Sequence, residues 1–115
     1  MHETSIAQSL IRLAETHCKN NNWKAVSSLT IRVGELSGVM PDALSFAFEA
    51  LKYGTLFEKA GLIIEEVSPG GECDACKREF GFDGPYALKC PHCGSADFRV
   101  TRGRELELME MEVDE

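Results

Sequence analysis

No stretch of this chain reaches the roughly 18 apolar residues that a membrane span needs, so no membrane-embedded role is expected. The opening Met1-His2-Glu3-Thr4 has no basic segment and no apolar core behind it, and a secretory leader is not expected. A cytoplasmic location is the expectation that follows. Positive charge is scarce: 12 Lys and Arg stand against 19 Asp and Glu, for a net charge of −7. Such a chain repels phosphate backbones and forgoes the counterion release that drives nucleic-acid binding. Low-complexity tracts are missing too, and nothing repeats except two short cysteine arms.

What is present suits a soluble globular protein. The 115 residues are enough for one ordinary domain, or for a small domain with a smaller one inserted. The hydrophobic fraction is 43% and the charged fraction 27%, both ordinary for that class. Of the five cysteines, four form two CxxC pairs and Cys18 stands apart. In a reducing compartment such pairs read as metal ligands rather than disulfides.

Ile6, Ala7, Leu10, Ile11, Ala14, His17 and Cys18 recur at spacings of three and four, which predicts an amphipathic helix over 4–19. His17 and Cys18 fall on its apolar face, as a packed histidine and a buried free thiol. Leu29, Ile31 and Val33 alternate with polar residues and predict a half-buried strand closed by Gly34. Pro41 and Asp42 open a second helix with Leu44, Ala47, Phe48 and Leu51 as its stripe, and Gly54 stops it. Thr55 and Glu58 have capping-box spacing, which predicts a short turn over 56–60. Residues 62–67 read as a second strand. Ser68-Pro69-Gly70-Gly71 reads as a boundary with a hinge.

Phe98 and Val100 share a face of a short strand, and Arg102-Gly103-Arg104 turns the chain. Arg99, Arg102 and Arg104 form a small basic spot, read as solubility or ion pairing rather than a phosphate site. In the last strand Leu106 and Leu108 run in one phase and Met109, Met111 and Val113 in the other. That slip predicts a bulge, or a strand covered on both faces. Glu105, Glu107, Glu110 and Glu112 read as its solvated side. The fold class is α+β: two helices on a roughly three-stranded sheet, with an inserted four-cysteine module resembling a zinc ribbon.

The cysteine pattern is Cys73-x2-Cys76, thirteen residues, then Cys90-x2-Cys93. Each CxxC turn aims two thiolates at one ion, and two turns complete a tetrahedron. Pro91 and Gly94 favour the turn of the second arm. The module is too small for a core of its own, so structural Zn(II) should supply most of its folding energy. Iron is the rival metal, since Phe80, Phe82, Tyr86 and Phe98 could surround it as aromatics do in rubredoxin-like proteins. Catalytic zinc is not expected, because four thiolates leave no position for water.

His2 has its own chemistry. A large second residue protects the initiator methionine, so the free amine should stay on Met1. That amine, the His2 amide nitrogen and the His2 imidazole can close two chelate rings on one ion, and Glu3 can add a nitrogen or an oxygen. Ni(II) and Cu(II) favour such tetragonal sets. On the residues alone, a frayed and inert terminus is the competing reading.

Met1-His2-Glu3, the helix behind it, Arg32-Val33-Gly34-Glu35-Leu36-Ser37, Phe46-Ala47-Phe48-Glu49, Gly54-Thr55, Ile64-Glu65-Glu66 and the two CxxC arms occur in this order. Over essentially the whole chain they resemble the HypA/HybF family, the nickel-insertion metallochaperones of NiFe-hydrogenase maturation. The resemblance implies a carrier and not an enzyme. It implies Ni(II) as cargo on His2, with the Met1 amine and Glu3 nearby, and structural Zn(II) on Cys73, Cys76, Cys90 and Cys93. Residues 1–68 plus 105–115 would form the nickel-binding domain and 69–104 the zinc-binding domain. The implied partners are the maturation GTPase HypB, the hydrogenase large subunit and, for some members, urease maturation proteins. Some members place histidines beside the zinc cysteines. Here the first arm has none and the second has only His92, a surface residue or a late nickel ligand. The alternative function is a zinc-ribbon module that binds a protein or a nucleic acid without carrying nickel.

Overall fold

The computed structural model describes residues 2–83 and 87–113. The expectations for the Met1 amine and for Tyr86 lie outside the described residues. Among the described residues, two helices and six strands follow in the order α1 (His2–Asn20), β1 (Val26–Gly34), α2 (Pro41–Leu51), β2 (Gly61–Val67), β3 (Gly70–Cys73), β4 (Glu79–Gly81), β5 (Phe98–Arg102) and β6 (Leu106–Val113). The strands form two three-stranded sheets, ordered β2-β1-β6 and β4-β3-β5. The chain divides into two compact units: residues 1–32, 39–65 and 107–115, and residues 33–38 with 66–106. Among the described residues, no helix is long and apolar enough to cross a membrane.

In the first unit α1 buries Ala7, Leu10, Ile11, Ala14 and Cys18, the stripe that the periodicity predicts. Two points differ. The helix starts at His2, two residues earlier than the apolar pattern suggests, with Glu3 in the first turn where a carboxylate complements the helix dipole. His17 is exposed rather than packed, because the stripe passes through Cys18, which is fully buried. Ile11, Ala14 and Cys18 join Val26, Leu29, Phe48, Phe57 and Ala60 in one core cluster. Phe48 comes from α2 and is fully buried.

Strand β1 is the middle strand of its sheet, and this overrides the expected alternation. Leu29, Thr30 and Ile31 are buried in succession, with Thr30 only 4% exposed. On β6, Leu108 and Met111 both pack against the core although they are three residues apart. A regular strand would point them to opposite faces, so the phase slip read from the sequence is present. Residues 55–60 form successive turns, with Thr55 Oγ1 accepting the Phe57 N–H at 3.1 Å.

The second unit contains β3, β4 and β5. Gly70 and Gly71 are not a free hinge here. They lie in β3, paired with β4 on one side and β5 on the other. A Cβ on Gly71 would stand 2.4 Å from the Arg99 carbonyl oxygen and 3.3 Å from the Phe80 ring. Glycine is needed there for close strand approach. Arg99 is an ion-pair residue, 2.8 Å from Glu72 and 3.5 Å from Asp74.

Candidate metal centres

The two cysteine arms are built alike. In the first, the Cys73 N–H donates to the Arg78 carbonyl at 2.9 Å and the Lys77 N–H donates to the Cys73 carbonyl at 2.9 Å. In the second, the Cys90 N–H donates to the Ser95 carbonyl at 2.8 Å and the Gly94 N–H donates to the Cys90 carbonyl at 2.9 Å. Each arm is closed by a left-handed residue just after its second cysteine: Lys77 at φ 63° and Gly94 at φ 78°. Backbone N–H groups also point at sulfur, Cys76 N to Cys73 Sγ at 3.5 Å and His92 N to Cys90 Sγ at 3.4 Å.

These turns bring all four sulfurs within 4.8 Å of one another. Cys73 and Cys93 sulfurs are 3.5 Å apart, and those of Cys76 and Cys90 3.8 Å. A zinc–sulfur bond of about 2.3 Å sets tetrahedron edges of about 3.8 Å, so the donor set fits Zn(II). Cys73 and Cys90 are buried against Phe80, with Phe82, Ala87 and Phe98 around them. Phe98 meets Phe80 edge-on at 5.4 Å. Burial opposes ionisation of Cys90, but the N–H groups of Cys93 and His92 and the thiols of Cys76 and Cys73 outweigh it and bring this thiol down to about 6. Cys93 receives the Ser95 N–H, yet the neighbouring thiol of Cys73 and burial push it up to about 11. Metal binding to such a thiol set releases protons. His92 is exposed on the second arm with Nε2 3.3 Å from the Glu79 carbonyl.

The other sequence-predicted site belongs to the first unit. His2 is exposed, with 62% of its side chain open to solvent, and Glu3 is half-buried. Glu3 Oε2 lies 3.7 Å from His2 Nδ1 and accepts the Met40 N–H at 3.2 Å. The Met40 N–H, then Glu3's own N–H, hold the Glu3 carboxyl below its usual range, with His2 adding attraction. The Met40 partnership was not foreseen. Met40 is the N-cap of α2 and makes no side-chain cap. The glutamate that would serve its N–H in a capping box belongs three residues on, where Ala43 stands, and Glu3 takes that place from α1.

Fold and sites together define a small α+β metal-binding protein with a four-thiolate cluster. The family model for hydrogenase/urease nickel incorporation, metallochaperone, hypA matches residues 1–113. The hydrogenase maturation factor HypA of Geobacter metallireducens is 45% identical over 114 residues, covering 99% of this chain and 100% of that protein. That of Streptomyces avermitilis is 42% identical, covering 95% and 84%. Among solved structures, the solution structure of the Ni metallochaperone HypA from Helicobacter pylori is 28% identical with a TM-score of 0.68, covering 96% of each chain. A second, described as the solution structure of HypA protein, is 29% identical with a TM-score of 0.75, covering 98% and 96%.

This chain belongs to the HypA family of nickel metallochaperones. The match spans both units, so the four-cysteine module is one part of a two-part protein.

Proposed function

We propose that this protein carries Ni(II) on its N-terminus through His2 and hands it to the large subunit of NiFe hydrogenase, while Cys73, Cys76, Cys90 and Cys93 hold a structural Zn(II). The observation that carries the reading is His2 itself, an exposed imidazole in the first turn of α1, in a chain of this family.

The first N–H groups of a helix have no partner within it. A nickel ion that takes the His2 amide nitrogen, the imidazole and the Met1 amine therefore breaks no helical hydrogen bond. Amide deprotonation also offsets the charge of the ion, which the positive end of the helix dipole would otherwise oppose. The Glu3 carboxylate, held by Met40, steadies the first turn, and its 3.7 Å contact with His2 Nδ1 gives way when that nitrogen closes the chelate ring with the amide.

An exposed chelate of this kind gives up its ion by stepwise ligand exchange, which is what a carrier requires. The protein is a carrier and not an enzyme, it works in the cytoplasm, and its partners are the GTPase HypB and the hydrogenase large subunit, with urease maturation proteins as a further client route.

Calorimetry with the zinc-loaded protein tests this. Wild type should bind one nickel, and His2→Ala should lose that binding while keeping its zinc. A one-residue N-terminal extension should also weaken binding by displacing the amine. Nickel binding by His2→Ala at wild-type strength, or maturation of hydrogenase by that variant in cells, would refute the proposal.

A further inference from the structure

Neither metal centre uses His17, Trp23, Met109 or Met111. The structure brings these four to one open surface cavity of about 210 Å³, which Leu108 and Glu110 also line. Three segments of the first unit contribute: the last turn of α1, the loop behind it, and β6.

Each segment has a local reason to face the cavity. The core stripe of α1 runs through Cys18 and leaves His17 exposed beside it. Asn22 takes a left-handed φ of 58°, and the Trp23 N–H bonds back to the Cys18 carbonyl at 2.9 Å. That reversal ends the helix and returns the indole to the wall that His17 lines. On β6, Met109 and Met111 stand two residues apart, so ordinary strand alternation turns both toward this cavity, and Met111 also packs on the core. Met109 stays 42% exposed and Trp23 37% exposed.

The chemistry of this set is specific. Two thioethers and one imidazole are soft or borderline donors. Thioethers are poor ligands for Ni(II) and Zn(II), but they select Cu(I). An indole face attracts a cation electrostatically, and tryptophan does so best among the aromatics. Glu110 and the net charge of −7 favour the approach of a positive ion.

We propose that this cavity binds a soft monovalent cation, Cu(I), with the His17 imidazole and the Met109 and Met111 thioethers as donors and the Trp23 indole as its cation–π wall. The proposal does not depend on the nickel reading, since it uses none of the same residues.

Trp23 is the chain's one tryptophan, so its fluorescence reports this site alone. Zinc-loaded, full-length protein is titrated anaerobically with Cu(I) in acetonitrile-containing buffer, with a zinc indicator present to register metal displaced from the cysteines. Trp23 should be quenched saturably. In the wild-type protein the methyl resonances of Met109 and Met111 should shift while that of Met40 stays. Met109→Leu/Met111→Leu conserves volume and should need at least tenfold more Cu(I) for the same quenching, with an unchanged zinc-release curve. His17→Ala should weaken it about tenfold. Zinc release without quenching, or unmoved Met109 and Met111 methyls, would overturn the proposal. So would equal quenching in the double leucine variant.

Discussion

Lys77 and Gly94 occupy the same place in the two cysteine arms, and only one of them is a glycine. Both are left-handed, at φ 63° and 78°, and both donate an N–H that closes the arm. An L-residue pays about 1–2 kcal/mol in that region, which glycine avoids. Glycine in turn loses about 0.5–1 kcal/mol more on ordering, because its unfolded chain is freer. The difference favours Lys77→Gly by about 0.5–1 kcal/mol, and the same sum run backwards disfavours Gly94→Ala by that amount. The comparison is clean for Gly94, since a Cβ there would meet nothing within 4 Å and only the backbone conformation is at stake. Lys77 is exposed, so its side chain contributes no packing to lose.

Folding of this module is linked to its metal, so the change appears as zinc affinity. With tenfold per 1.4 kcal/mol, Lys77→Gly should tighten zinc by about two- to fivefold and Gly94→Ala should weaken it by about as much. Competition for zinc against a chromophoric chelator measures both. Weaker zinc retention in Lys77→Gly, or no loss in Gly94→Ala, would refute the argument from backbone conformation.

Two further outcomes follow from the cores. Phe48 is fully buried within the cluster formed with Ile11, Leu29 and Phe57, so Phe48→Ala should cost about 3–5 kcal/mol and lower the midpoint of thermal unfolding accordingly. In the second unit, the apolar cluster around the cysteines is small, with Phe80, Phe82, Ala87 and Phe98 packed about them. Stripping the zinc with a strong chelator should therefore collapse amide dispersion in NMR spectra for residues 70–102 while α1 and α2 keep theirs.

The readability of this chain followed the range of the interactions involved. The four-cysteine cluster was legible because a CxxC turn is local: its spacing carries the hydrogen bonds that aim the sulfurs. The α1 stripe was legible from Ala7 to Cys18 for the same reason, since helical neighbours lie three and four residues apart. His2 and Glu3 carry no apolar signal, and their helical state rests on the dipole and on Met40, 37 residues away. Strands β3 and β4 were missed because Gly70-Gly71 reads as a hinge in isolation. Only the closeness of the Arg99 carbonyl and the Phe80 ring shows why side chains are excluded there. The left-handed Lys77 left one usable trace, its alignment with Gly94 across the two arms.

Exposure argues for the division of labour proposed between the two metal centres. A transported ion must admit an incoming ligand before it leaves. Cys73 and Cys90 are 0% and 1% exposed, and the first of the four thiolates to exchange would have to be the exposed Cys93. Even then the ion stays held by buried sulfurs whose release would open the aromatic cluster around Phe80. At the N-terminus, His2 is 62% exposed and its loss disrupts no core. A centre whose ligands also hold the fold keeps its ion, and one whose ligands merely begin a helix can let its ion go. Replacing His2 should thus remove cargo without destabilising the protein, whereas replacing Cys73 should do the reverse, unfolding the second unit and leaving nickel binding in place.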